Sequence, residues 1–127
     1  MSMITILTML EEGYDIDSTF EHNAFQQLKG AYACKLISIP HDYATMQEGL
    51  DAAVGTKVFM MRPGRVAHST EFKDWTPPDE DLVFVFGSPT ESLSSFVGDE
   101  IALHITTPFD ADMMAISVAG IVMYVHR

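Results

Sequence analysis

Positive charge is scarce in this chain. Its 127 residues hold 7 Lys and Arg against 18 Asp and Glu, a formal charge of −11. Nucleic-acid affinity rests largely on Lys and Arg neutralising phosphates. The candidates for a phosphate contact are few: Lys57, Arg62, Arg65, Lys73 and Arg127. The plain role of so many surface acids is to keep a protein in solution. Cysteine is nearly absent. Cys34 stands alone, which rules out an internal disulfide and fits a reducing, cytoplasmic compartment. No apolar run approaches the roughly 20 residues that cross a bilayer. The start, Met1-Ser2-Met3-Ile4-Thr5-Ile6-Leu7, has no positive n-region and no small-residue cleavage site, so it reads as a strand and not a signal peptide. The histidines His22, His41, His68, His104 and His126 do not pair at ligand spacing with one another, with Cys34 or with a carboxylate cluster. This argues against a metal site.

What is present is an alternation of apolar runs and helical periods. Met3 to Leu10, Cys34 to Ile39, Lys57 to Met61, Leu82 to Phe86 and Ile101 to Ile105 read as strands. Between the first two, Ser18 or Asp17 is placed to cap a helix over Thr19 to Lys29. Its expected apolar side is Phe20, Ala24, Gln27 and Leu28, and Gly30 is its expected end. Pro40 stops the second strand. Tyr43 to Val54 predicts a short helix with Met46, Leu50 and Ala53 on one side and Gly55 after it. Val66 to Pro78 reads as a loop holding Trp75. The pattern predicts one α/β domain over 1–127, a mostly parallel sheet with helices on both faces. The last helix, from Met113 to Val125, is apolar nearly all round and calls for burial on most sides. Ala115, Ser117, Ala119 and Gly120 allow another helix to approach closely, so a dimer interface or a threaded helix is expected there.

Three strands run into polar or Gly/Pro loops. Met60-Met61 leads to Arg62-Pro63-Gly64-Arg65, Phe86 to Gly87-Ser88-Pro89, and Ile105 to Thr106-Thr107-Pro108. In open parallel sheets ligands sit at that carboxyl edge. Each loop also has a plainer reading. Pro63-Gly64 is a turn after an edge strand. Ser88-Pro89-Thr90-Glu91 fits a capping box. Asp110 and Asp112 suit a helix start. His104, on a strand, suits packing or capping, and Cys34 suits a buried structural role. A helix-surface position is the common case for His22.

The order Gly64, Ala67-His68-Ser69, Phe86-Gly87, Leu93, then Ile105-Thr106-Thr107, Asp110, Met114, Ser117-Val118-Ala119 and Tyr124 resembles the SPOUT family of S-adenosylmethionine-dependent RNA methyltransferases. The likeness is to its small tRNA 2′-O-methyltransferases, close in the C-terminal half and loose in the N-terminal half. It implies a deep C-terminal trefoil knot, a homodimer, and S-adenosylmethionine held by Met60, Met61, Arg62, Gly64, Gly87, Ile105, Met114 and Ile116. His68 would then lie near the active site.

The chain departs from the family at chemically important positions. The catalytic Arg of the family's first helix has no counterpart, since the first Arg in the chain is Arg62. Pro89, Ser92, Met113 and Ala115 replace the expected Glu, Gly, Ser and Asn. Methyl transfer to a ribose hydroxyl needs alignment and a proton acceptor. His22, Asp17, Glu21 or a partner-subunit group are candidates for that acceptor, with Ser117 as a polar contact. The alternatives are a non-catalytic, dimeric cofactor-binding or regulatory relative, or a small-molecule or protein substrate. An unknotted, flavodoxin-like domain is the structural alternative. The acidic Glu11-Glu12-Gly13-Tyr14-Asp15 suits no phosphate but does not oppose a cationic sulfonium.

Overall fold

A computed structural model of the chain describes residues 3–10, 20–87, 93–109 and 113–126. It contains strands β1 (Ile4–Met9), β2 (Lys35–Ile39), β3 (Thr56–Met60), β4 (Thr70–Glu71), β5 (Leu82–Phe86) and β6 (Ile101–His104), with helices α1 (Phe20–Tyr32), α2 (Met46–Ala52) and α3 (Ala115–His126). The strands form one sheet in the order β2-β1-β5-β3-β6-β4, and every pairing is parallel. β5 is wholly apolar and β1 mostly so, with Thr5 and Thr8 the exceptions, and both are almost wholly buried, as expected of strands covered on both faces. The two edges are blunted. β4 is only Thr-Glu, and β2 begins at exposed Lys35. Short or charged edges discourage pairing with other chains.

Side-chain alternation sorts the core into two clusters. One face carries Ile4, Ile6, Val58, Met60, Phe84, Phe86 and Leu103, and is covered by Phe25 of α1 and Ala119, Val122 and Met123 of α3. The other carries Leu7, Ile39, Phe59, Val83, Val85 and Ala102, and is covered by Met46 and Leu50 of α2 and by Leu93. Phe25 is fully buried, so its truncation to Ala should cost about 3–5 kcal/mol.

Several elements differ from the sequence pattern. Gly30 does not end α1, which runs to Tyr32 and closes on Ala33 at φ 52°. The buried side of α1 is His22 and Phe25, with Leu28 and Tyr32 partly buried against the same cluster. Phe20 is 83% exposed, and Gln27 is exposed too. The cause is tertiary: the sheet receives the 22–25–32 stripe, which a periodicity count centred on Phe20 rotates out of place. α2 is shorter than 43–54 because Thr45 caps it, its side chain accepting from the Glu48 N–H at 3.2 Å. Met46, Leu50 and Ala53 do face the core. The 66–78 segment is not all loop. It contributes β4 and a single 3-10 turn, Phe72–Asp74. β3 is interior, flanked by β5 and β6, so Pro63-Gly64 does not follow an edge strand. α3 buries one side only, leaving Ile121, Tyr124 and Val125 exposed, as is Met114 just before it.

The chain between β3 and β5 passes around the place β6 occupies. Val66 packs on the α2 face, β4 lies outside β6, and Phe72 and Trp75 pack on the α1–α3 face. β6, later in sequence, sits between β3 and β4. The segments 11–19, 88–92 and 110–112, with their expected caps and loops, lie outside the described residues.

Candidate functional site

β5, β3 and β6 are consecutive neighbours in the sheet. Their carboxyl ends therefore bring Gly87, Met61 to Gly64, and Ile105 to one edge. The β3–β6 ladder continues through Met61, whose N–H donates to the Leu103 carbonyl at 2.7 Å. Beyond it Arg62-Pro63-Gly64-Arg65 forms a turn. The Arg65 N–H donates to the Arg62 carbonyl at 3.3 Å, and Gly64 has φ 80°. Pro second and a positive-φ Gly third is the type II pattern. A Cβ on Gly64 would meet nothing within 4 Å, so the backbone conformation is what requires Gly there.

The eight cofactor candidates divide by face. Met60 and Met61 are both buried, but adjacent strand residues point oppositely. Met60 belongs to the α1–α3 cluster, with Ile105 and Ile116 packed against it, while Met61 belongs to the α2 cluster. Gly87 is half-buried, and Arg62, Gly64 and Met114 are exposed. Ser117 is exposed on α3. His22 is buried, correcting the helix-surface expectation, and its ring lies edge-on to His41 with centroids 5.4 Å apart. Thr8 and Ser38, register partners on β1 and β2, bury hydroxyls that have no hydrogen-bond partner among the described residues. Cys34 is buried, with Sγ 3.9 Å from the Leu28 carbonyl.

His68 is not at the carboxyl edge. Its Nε2 lies 2.9 Å from the carbonyl of Glu100, just before β6 starts. Four residues of strand, about 13 Å, separate that point from Ile105. Ser69 instead reaches up the strand: its Oγ lies 2.6 Å from His104 Nδ1. His104 Nε2 lies 3.1 Å from Glu71 Oε2, both side chains being mostly buried. Glu71 in turn accepts from the Thr106 N–H at 2.9 Å and the Thr106 hydroxyl at 2.7 Å. The backbone N–H of Thr106 holds the Glu71 carboxyl below the ordinary carboxylate range. The Thr106 hydroxyl, His104 and Lys73 add to this, while desolvation pushes the other way.

This network ties β4 to β6 and fixes the residue that follows Ile105. Periodicity had no means of finding it. Its one sequence signal was a polar His104 ending an otherwise apolar strand. Among the described residues no group of three or more His, Cys, Asp or Glu could hold a metal ion, and no helix is long and apolar enough to cross a membrane. The fold defines the chain as an all-parallel α/β protein in which the carboxyl ends of β5, β3 and β6 adjoin at one sheet edge. No family model and no curated protein matches it.

Proposed function

We propose that the protein is a SPOUT-like, S-adenosylmethionine-dependent RNA methyltransferase of the ribose 2′-O type. The carrying observation is the adjacency of β5, β3 and β6, which puts the Phe86-Gly87, Met60-to-Gly64 and Ile105 segments side by side. These are the segments whose residues resemble the family's cofactor loops. Met60, Ile105 and Ile116 share one apolar cluster, a suitable wall for a purine ring. Backbone groups of Gly87 and of the 62–65 turn would supply the polar contacts. The placement of β6 between β3 and β4, with the intervening chain passing both faces, supports a trefoil knot.

A homodimer through α3 belongs to the same reading. Met114, Ile121, Tyr124 and Val125 are exposed, Tyr124 by 79%. They recur at helical spacing as an uncovered apolar stripe. RNA contact would rest on Arg62 and Arg65, exposed beside the loops. A cytoplasmic location accompanies an RNA substrate.

A second reading is favoured by the lack of any Arg before Arg62 and by the charge of −11. In it the chain keeps the pocket and the dimer but acts as a non-catalytic binding or regulatory module. Calorimetric titration with S-adenosylmethionine and S-adenosylhomocysteine tests the pocket. Micromolar binding that is lost in Gly87→Leu supports it, and methylation of total RNA then separates enzyme from module. No heat at millimolar ligand removes the cofactor and the methyltransferase together.

A further inference from the structure

We propose that Ser69, His104 and Glu71 form a nucleophilic serine site that takes acyl groups from small esters. This inference is independent of the cofactor reading above. Glu71 receives two hydrogen bonds from Thr106, and an ionised carboxylate only accepts. The imidazole nitrogen 3.1 Å from its Oε2 is therefore the protonated one, Nε2–H. In the neutral imidazole that fixes the tautomer, with the lone pair on Nδ1. Ser69 Oγ, 2.6 Å away, donates its proton to that lone pair. The sequence hydroxyl, imidazole, anchored carboxylate is the arrangement of nucleophile, base and orienting group. The ring is used in the reverse sense to the common hydrolase triad, with Nδ1 toward the serine. The proton accepted at Nδ1 is balanced by Nε2–H against Glu71.

Ser69 is half-exposed, so an electrophile can reach it. β4 is the outermost strand, so an ester such as an acetyl ester can approach from the sheet edge. Ser69 Oγ attacks the ester carbonyl carbon as His104 Nδ1 takes its proton. The carbon–oxygen bond to the alcohol then breaks, and His104 returns the proton to the departing alkoxide. Water hydrolyses the acyl-serine with the same base, releasing the carboxylic acid and restoring Ser69. The competing role is a mechanical clasp between β4 and β6, which would leave the hydroxyl no more reactive than any surface serine.

The full-length protein treated with an alkyl fluorophosphonate distinguishes the two. Oγ–P forms, P–F breaks, fluoride leaves and His104 holds the proton. Peptide mass spectrometry should place the adduct on Ser69. Its rate should fall about 100-fold or more in His104→Gln, fall also in the isosteric Glu71→Gln, and vanish in Ser69→Ala. Hydrolysis of p-nitrophenyl acetate should follow the same order. Circular dichroism melts establish that each variant is folded, and Glu71→Gln decides the matter where His104→Gln is not. A folded wild-type protein with no adduct on Ser69 overturns the proposal. So does an adduct formed equally fast in a folded His104→Gln or Glu71→Gln variant.

Discussion

The imidazole of His126 packs against the indole of Trp75, with ring centroids 5.5 Å apart and planes 64° apart. Phe72 and Phe84 complete the surroundings, at 5.6 Å and 5.2 Å. The end of α3 is thereby fastened to the chain that leaves β4 and to the central strand β5. The contact is apolar at some cost, because His126 Nε2 is buried without a hydrogen-bond partner among the described residues.

Burial pushes the His126 pKa below its ordinary value of 6.5. A group depressed in this way binds its proton more readily when unfolded. The unfolded state therefore gains protons first as pH falls through 6.5, and stability drops until the folded pKa is passed. Thermal melts from pH 8 to pH 5 should show this decline. His126→Phe should remove part of it and should match or exceed the wild type at pH 7, since it deletes an unpaired buried nitrogen. A variant whose acid decline equals the wild type's would refute this account.

Helix α1 carries its glycine and its left-handed residue at exchanged positions. Gly30 is inside the helix, where a Cβ would meet nothing within 4 Å, and Ala33 holds φ 52° at the end. Gly30→Ala should stabilise by about 0.5–1 kcal/mol. Ala33→Gly should also stabilise, by about 0.5 kcal/mol, by relieving a left-handed Ala. Urea unfolding of the single and double variants measures both, and the sites are near enough that additivity itself needs checking.

Gly55 and Gly64 separate strain from collision. Both have positive φ, 135° and 80°. A Cβ on Gly55 would lie 2.8 Å from the backbone carbonyl oxygen of Asp81, whereas Gly64 has open space. The Asp81 carbonyl also accepts the Thr56 N–H at 2.9 Å, so it cannot move without disturbing the start of β3. Gly64→Ala should cost about 1 kcal/mol and Gly55→Ala about 3 kcal/mol. The reverse ranking in denaturant melts would contradict this geometry.

The apolar stripe of α3 is the proposed dimer face. Ile121→Asp combined with Tyr124→Asp should yield a folded monomer in sedimentation equilibrium, starting from a wild-type dimer. A wild type that sediments as a monomer at 100-fold dilution and at stock concentration alike would dismiss the dimer.

Much of the secondary structure was legible because it is written locally. The runs around Ile6, Val58, Phe84 and Leu103 are too apolar for anything but strands covered on both faces, and Met46, Leu50 and Ala53 repeat at helical spacing. The candidate edge was half legible. The endings at Gly64, Gly87 and Ile105 could be read one by one, but their adjacency could not. His22 was misplaced on a helix surface because nothing local says which side of α1 meets the sheet. Ser69 and His104 lie 35 positions apart, as do Glu71 and Thr106, and the β4–β6 pairing joins them.

The sequence by itself determined the alternation of strands and helices, the parallel sheet buried on both faces, and the apolar character of the last helix. Each follows from side-chain period and hydrophobicity over a few residues. The tertiary structure alone decided the strand order, the insertion of β6 between β3 and β4, the side of α1 that is buried, and the hydrogen-bonded serine, histidine and glutamate. Those depend on backbone pairing between distant segments, whose hydrogen bonds are chemically alike in every strand and so leave no mark in the residue pattern.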